Sequence, residues 1–238
     1  MAKRKGIRFD NIHSYEEWGL RLISIEKTYP NPKKITEHVP GSDSFIDLTE
    51  SLDGDVHYEP RILTFTFDTM DCSYELWESL MSDIADKLHG QNKKIIIDTD
   101  PCFYYIGRCE VSSKKSNPIT AEIVVEAEVE PYKYEKFSSL EDWEWDSFNF
   151  ESGIIREYKD LEVDGTLTLV IDGLRKKVIP EFEVSNAAEG IQVDFNGERF
   201  DLPEGKSRIL DITIKQGENT LKFLGKGTVS VGYRGGRL

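Results

Sequence analysis

From Leu161 onward, short runs of alternating apolar and polar residues are cut by turn dipeptides, and this punctuation restricts the fold more than any other feature. Gly165–Ile171, Val178–Val184, Gly190–Phe195, Glu198–Leu202, Arg208–Ile214, Asn219–Phe223 and Thr228–Tyr233 read as strands. Asp172-Gly173, Asn186, Asn196-Gly197, Glu204-Gly205 and Gln216-Gly217 separate them. A two-residue turn that matches strand twist needs positive φ at both positions, which Asn and Gly tolerate best, so Asn196-Gly197 predicts a tight hairpin. Strands at this spacing predict a β-sandwich over 161–238.

The first half carries longer strands. Ile62, Thr64 and Thr66 alternate with Leu63, Phe65 and Phe67, so β-branched and aromatic residues occupy both faces of one extended run. Pro60 has no amide hydrogen and marks where pairing can begin. Ahead of it, the weakly apolar stretch 41–52 reads as a long loop or ribbon. Ile7–Phe9 and Trp18–Glu26 predict a short and a longer strand, the latter with Leu20, Leu22 and Ser24 on one face and Arg21, Ile23 and Ile25 on the other. Asp71 or Ser73 can cap a helix running to about His89, with Leu76, Trp77, Leu80, Met81, Ile84 and Leu88 on one stripe and Gly90 as its stop. Lys94–Ile97, Phe103–Val111 and Ala121–Glu130 complete an α+β or mostly-β domain over 1–134. Residues 135–160 hold eight acidic and three basic residues mixed with aromatics that include Trp143, Trp145, Phe148 and Phe150, and read either as a linker or as the first strand of the second domain.

An open sheet with one helix to cover it leaves apolar surface for a neighbour. That argument makes Ile62, Leu63, Phe65, Phe67, Leu20 and Leu22 the candidate contacts between copies.

Charge and cysteine usage exclude several functions. A net charge of −14 repels phosphate backbones, so nucleic acid is not the expected partner. No run of about eighteen apolar residues exists to cross a bilayer as a helix. Met1–Gly6 is basic without an apolar core behind it, which argues for synthesis in a cytoplasm without a secretory signal. Cys72, Cys102 and Cys109 are odd in number and lack Cys-x-x-Cys spacing, so they read as buried or half-buried thiols.

No constellation carries chemistry. His13, His38, His57 and His89 are scattered and read as surface or turn residues. Asp98 and Asp100, with Asp68 and Asp71, offer oxygens to a calcium ion, yet Asp98-Thr-Asp-Pro101 reads more simply as a turn. Glu141, Glu144 and Asp146 beside Trp143 and Trp145 have the composition of a glycosidase cleft but equally of packed aromatics with solvated charge. Between 161 and 238 there is neither tryptophan nor histidine, so a carbohydrate-binding sandwich, the alternative function, would lack its stacking ring.

Several motifs occur in a telling order. Phe9-Asp-Asn-Ile-His-Ser14 is followed by Trp18-Gly-Leu20, then a Pro40-Gly41 loop, Tyr58-Glu-Pro-Arg61, the helix, and Asp98-Thr-Asp-Pro-Cys-Phe-Tyr-Tyr105. Glu130-Pro-Tyr-Lys-Tyr134, Gly217-Glu-Asn-Thr-Leu221 and Val231-Gly-Tyr-Arg-Gly-Gly236 close the series. In this order and spacing the chain resembles the distal tail (Dit) proteins of long-tailed phages and prophages, over nearly its whole length. The resemblance implies a structural protein without enzyme activity or cofactor, acting at the virion tail tip after assembly in a bacterial cytoplasm. It further implies an N-terminal domain that closes into a ring, usually hexameric, between the tail tube and the baseplate or tip proteins, and a galectin-like C-terminal sandwich.

Overall fold

In the computed structural model, residues 5–69, 74–115, 121–141, 157–187 and 190–238 are described. The chain is mainly β and divides into two units. The first comprises 1–100, 104–133 and residue 238, the second 101–103 and 134–237.

The first unit holds β1 (Ile7–Phe9), β2 (Ile12–His13), β3 (Arg21–Lys27), β4 (Thr36–His38), β5 (Phe45–Asp47), β6 (Arg61–Thr69), helix α1 (Tyr74–Leu88), β7 (Asn92–Ile97), most of β8 (Phe103–Lys115) and β9 (Ala121–Val129). Seven of them form an antiparallel sheet in the order β2-β1-β7-β8-β9-β6-β3. Strict alternation puts Leu63, Phe65 and Phe67 of β6 on one face with Ile123, Val125, Ala127 and Val129 of β9. On that face α1 contributes Trp77, Ile84 and Leu88 to a single core, with Leu80 and Met81 at its margin. Phe9 meets Phe65 edge to face at 6.0 Å. Gly90 at φ +71 ends the helix, as its lack of a Cβ permits, while the proposed caps Asp71 and Ser73 lie outside the described residues.

Two details depart from the sequence reading. Leu76 is exposed, because the stripe that faces the sheet runs through Trp77, and Leu76 sits one position, about 100°, to its side. In β3 the register slips between Leu22 and Ser24. This bulge inserts one residue, so Leu22 and Ile25 both reach the core and Ile23 points outward, where simple alternation had placed Leu22 and Ile25 on opposite faces.

The second unit contains β10 (Lys133–Glu135), β11 (Leu161–Gly173), β12 (Glu181–Ser185), β13 (Ile191–Phe195), β14 (Glu198–Leu202), β15 (Gly205–Arg208), β16 (Gly217–Gly232) and β17 (Gly236–Arg237). β13 and β14 are joined by Asn196-Gly197, both at positive φ, as the hairpin requires. The stretches 219–223 and 228–233, which read as two strands, belong to one. Gly225 and Gly227 keep β16 continuous at φ +122 and +157, values that a side chain would oppose. A Cβ on Gly225 would stand 2.2 Å from the Gly190 carbonyl oxygen. One edge of β16 pairs with all of β11, while its other edge pairs first with β13 and then with β12. β16 thus joins β11, β12 and β13 into one six-stranded sheet around a core that includes Val163, Ile171, Phe182, Val193, Phe223 and Val231. The segment 209–214 is not a strand. It meets Val178 only in an isolated bridge at Ile214, where its backbone is satisfied.

Candidate assembly surface

The structure sorts the six predicted contact residues by strand parity. Leu63, Phe65 and Phe67 have no exposure and Leu20 has 1%. They are consumed by the chain's own core, which α1, β1 and β7 close. Leu22 is partly buried against the same core, and Ile62, on the opposite face, is 41% exposed. That opposite face is polar. Its rows run Arg108–Glu128–Ile62, Glu110–Glu126–Thr64 and Lys114–Glu122–Asp68, with Glu110 and Glu126 directly opposed. Like charges opposed across a strand pair repel, so the Glu110–Glu126 row costs stability within the sheet.

The apolar surface lies elsewhere. Between β3 and β6 the chain leaves the sheet as an arm whose stem is tied by Lys33 N–H to His57 O and Glu59 N–H to Asn31 O, both at 2.8 Å. At its tip β4 and β5 pair as a two-stranded ribbon. No residue from 31 to 54 is buried. Ile35, Phe45, Ile46, Leu48 and Leu52 are all exposed, Leu52 at 86%. A lone two-stranded ribbon is marginal in water, and this one has no core beneath it. Its local order comes from polar bonds. Ile35 N–H donates to Thr49 Oγ1, and the Asp47 carboxyl is held below its ordinary range by hydrogen bonds from the Thr49 side chain and backbone. The sequence signal for this surface was present in five large apolar side chains placed in a turn-rich stretch, but without a helical or strand period they show no face.

Other candidate groups serve the fold. His13 is 2% exposed, not a surface histidine. Its Nδ1 accepts from the backbone N–H groups of Tyr15 and Glu16, so Nε2 carries the proton and donates to Asp98 Oδ2 at 3.0 Å. Asp98 Oδ2 also accepts from Gly6 N–H. Glu16 and Glu17 lie near the His13 ring, but with both ring nitrogens engaged no lone pair faces them, and a metal would find no imidazole ligand there. Asp100 pairs with Lys133 at 2.6 Å and Asp68 with Arg21, so these carboxylates point at separate cations and do not converge. Burial pushes the Cys109 thiol up to about 12, which leaves it protonated and inert. Of the acidic aromatic stretch, Glu141 bonds Arg234 at 3.3 Å, whereas Trp143, Glu144, Trp145 and Asp146 lie outside the described residues. In the second unit Phe182, Phe195, Phe223 and Tyr233 are buried, and Phe200 packs against the same core. The groove of about 550 Å³ there is lined by Gly190, Ile191, Gln192, Asp201, Leu202, Pro203, Leu224 and Gly225, with no ring to stack on a sugar.

No protein-family model and no curated protein matches the chain. Among solved structures, SPP1 Dit (gp 19.1), described as a paradigm of the hub adsorption apparatus in Gram-positive infecting phages, matches with a TM-score of 0.62. The match covers 98% of this chain and 99% of that one at 12% identity. The chain therefore has the Dit fold, the one that its motif order implied.

Proposed function

We propose that this protein is a distal tail protein, a structural component of a phage tail tip whose first unit closes into a ring between the tail tube and the tip or baseplate proteins. The reading is supported by the fold shared with SPP1 Dit along both chains. The observation that carries self-assembly is the arm, which presents the side chains of Ile35, Phe45, Ile46, Leu48 and Leu52 to solvent, with nothing among the described residues to cover them. Burying five such side chains contributes about 8 kcal/mol in total, taken at the low end per side chain. Association costs about 4–15 kcal/mol, so one arm in one contact is marginal. Closure changes this, since every copy then both gives an arm and receives one. Six copies is the number that the family resemblance favours. We place the protein in the virion tail, after assembly in the host cytoplasm, with tube and tip proteins as partners. The second unit, on this reading, serves as a docking hub.

The test is the native mass of the purified chain, with negative-stain images. A closed ring that the double variant F45D/I46D converts to monomers supports the proposal. A wild type that is monomeric in solution and also inside imaged tails sinks it.

A further inference from the structure

We propose that the end of the first unit's core around Arg61 is a binding site for a small oxyanion, a carboxylate or a phosphate, received side-on by the guanidinium. This goes beyond the tail reading and does not depend on it. Arg61 opens β6 on the core face, opposite Val129 of β9, which in turn stands opposite Gly107 of β8. Gly107 has to be glycine, because a Cβ there would stand 2.5 Å from the Val129 Cα. The Arg61 guanidinium lies 4.9 Å from the centre of the Tyr105 ring.

Arg61 is 5% exposed, and among the described residues its Nε and Nη2 meet no acceptor. These are not two arbitrary nitrogens. Their N–H bonds run parallel along one edge of the planar group, the fork that matches two oxygens of a carboxylate or phosphate. A buried donor pair of this geometry normally has its acceptor. The acids around it do not supply one, and Glu59, two residues before it, is exposed. Glu128 alternates to the opposite face, beside Ile62. Asp100 is engaged by Lys133 at 2.6 Å. Lys27 lies close enough to Asp100, Lys133 and Arg61 for their charges to interact, and burial lowers the pKa of both Lys27 and Arg61. Lys27 thus has two further cations and only one carboxylate for charged neighbours, in a chain whose net charge is −14. An added anion relieves that imbalance and fills the fork. Because both nitrogens are closed to solvent, it enters with a local opening, and binding is slow compared with pairing at a surface.

The experiment uses the full chain in chloride buffer, incubated with sodium phosphate or sodium acetate at constant ionic strength, and reads calorimetric binding and Tm. We expect saturable one-to-one binding of at least one anion and a raised Tm. Arg61→Lys, which keeps the charge but lacks the fork, weakens the affinity about tenfold or more. Response to phosphate or to acetate identifies the class of oxyanion. The absence of any response beyond that of chloride overturns the proposal, as does an unchanged affinity in Arg61→Lys. If that variant does not fold, Lys27→Met takes its place. It keeps the fork and removes one neighbouring cation, so weaker binding supports the site and an unaltered affinity refutes it.

Discussion

His13 and Asp98 are 85 residues apart in the chain, and their hydrogen bond joins two of the motifs, Phe9–Ser14 and Asp98–Tyr105, that made the sequence recognisable. Neither motif announces this role alone, since a histidine in a turn and an aspartate before a proline each have local explanations. His13→Ala leaves the Tyr15 and Glu16 amides and Asp98 without their partner, and we expect a loss of about 2–4 kcal/mol in urea unfolding. Asn219 has a comparable post in the second unit. Its amide donates to the carbonyls of Lys215, Gly217 and Ile171 and accepts from Lys215 N–H, closing the turn into β16. Asp83 offers a pH test. Hydrogen bonds from Lys87, and then from the Trp18 indole, hold its carboxyl below the ordinary 3.8. A depressed carboxylate contributes stability above 3.8 that disappears as the pH falls through its lower folded value. Trp18 fluorescence should therefore change below pH 3.8, and Asp83→Asn should remove that change.

At the scale of elements, the longer strands such as β6, β8 and β9, helix α1 and the Asn196-Gly197 hairpin were legible in the sequence because each follows from local periodicity or turn chemistry. What was hidden depends on geometry between strands. The bulge in β3 moved Ile25 inward, and Gly225 and Gly227 bent β16 where they looked like a break between two strands. The contact surface was misjudged for the same reason. Phe65 and Phe67 are as apolar as an interface would need, and only the placement of α1 reveals that they are spent internally. The start of the acidic stretch, 135–141, falls within the second unit. Ser139 Oγ donates to Val231 O and accepts from Tyr233 N–H, both at 2.8 Å, and Lys136 N–H reaches Cys102 O. Ser139→Ala strands two buried backbone groups and should cost about 2 kcal/mol in denaturant unfolding. A fragment that starts at Ile154 loses these bonds, so it should melt lower by circular dichroism than one that starts at Tyr134. Equal melting would show that 134–141 adds nothing.

For the molecule as a whole, charge sets the conditions of assembly. Each copy carries −14, and between residues 31 and 59 the arm itself holds seven acidic residues against two basic ones. Apolar contact has to overcome that repulsion, which salt screens within about 10 Å at 0.1 M. We therefore expect the oligomer to dissociate at low ionic strength and to reform on adding salt, as followed by sedimentation velocity. Oligomer that weakens with salt would mean that ion pairs hold it. The bulged strand β3 bears on how far such an assembly can grow. It ends the ordered sheet, irregular in register and carrying Arg21, Glu26 and Lys27. In the vocabulary of polymer chemistry it is an end group. Extension strand upon strand, the route by which β proteins run away into fibrils, is opposed at that edge, which leaves growth of the proposed ring to the arm.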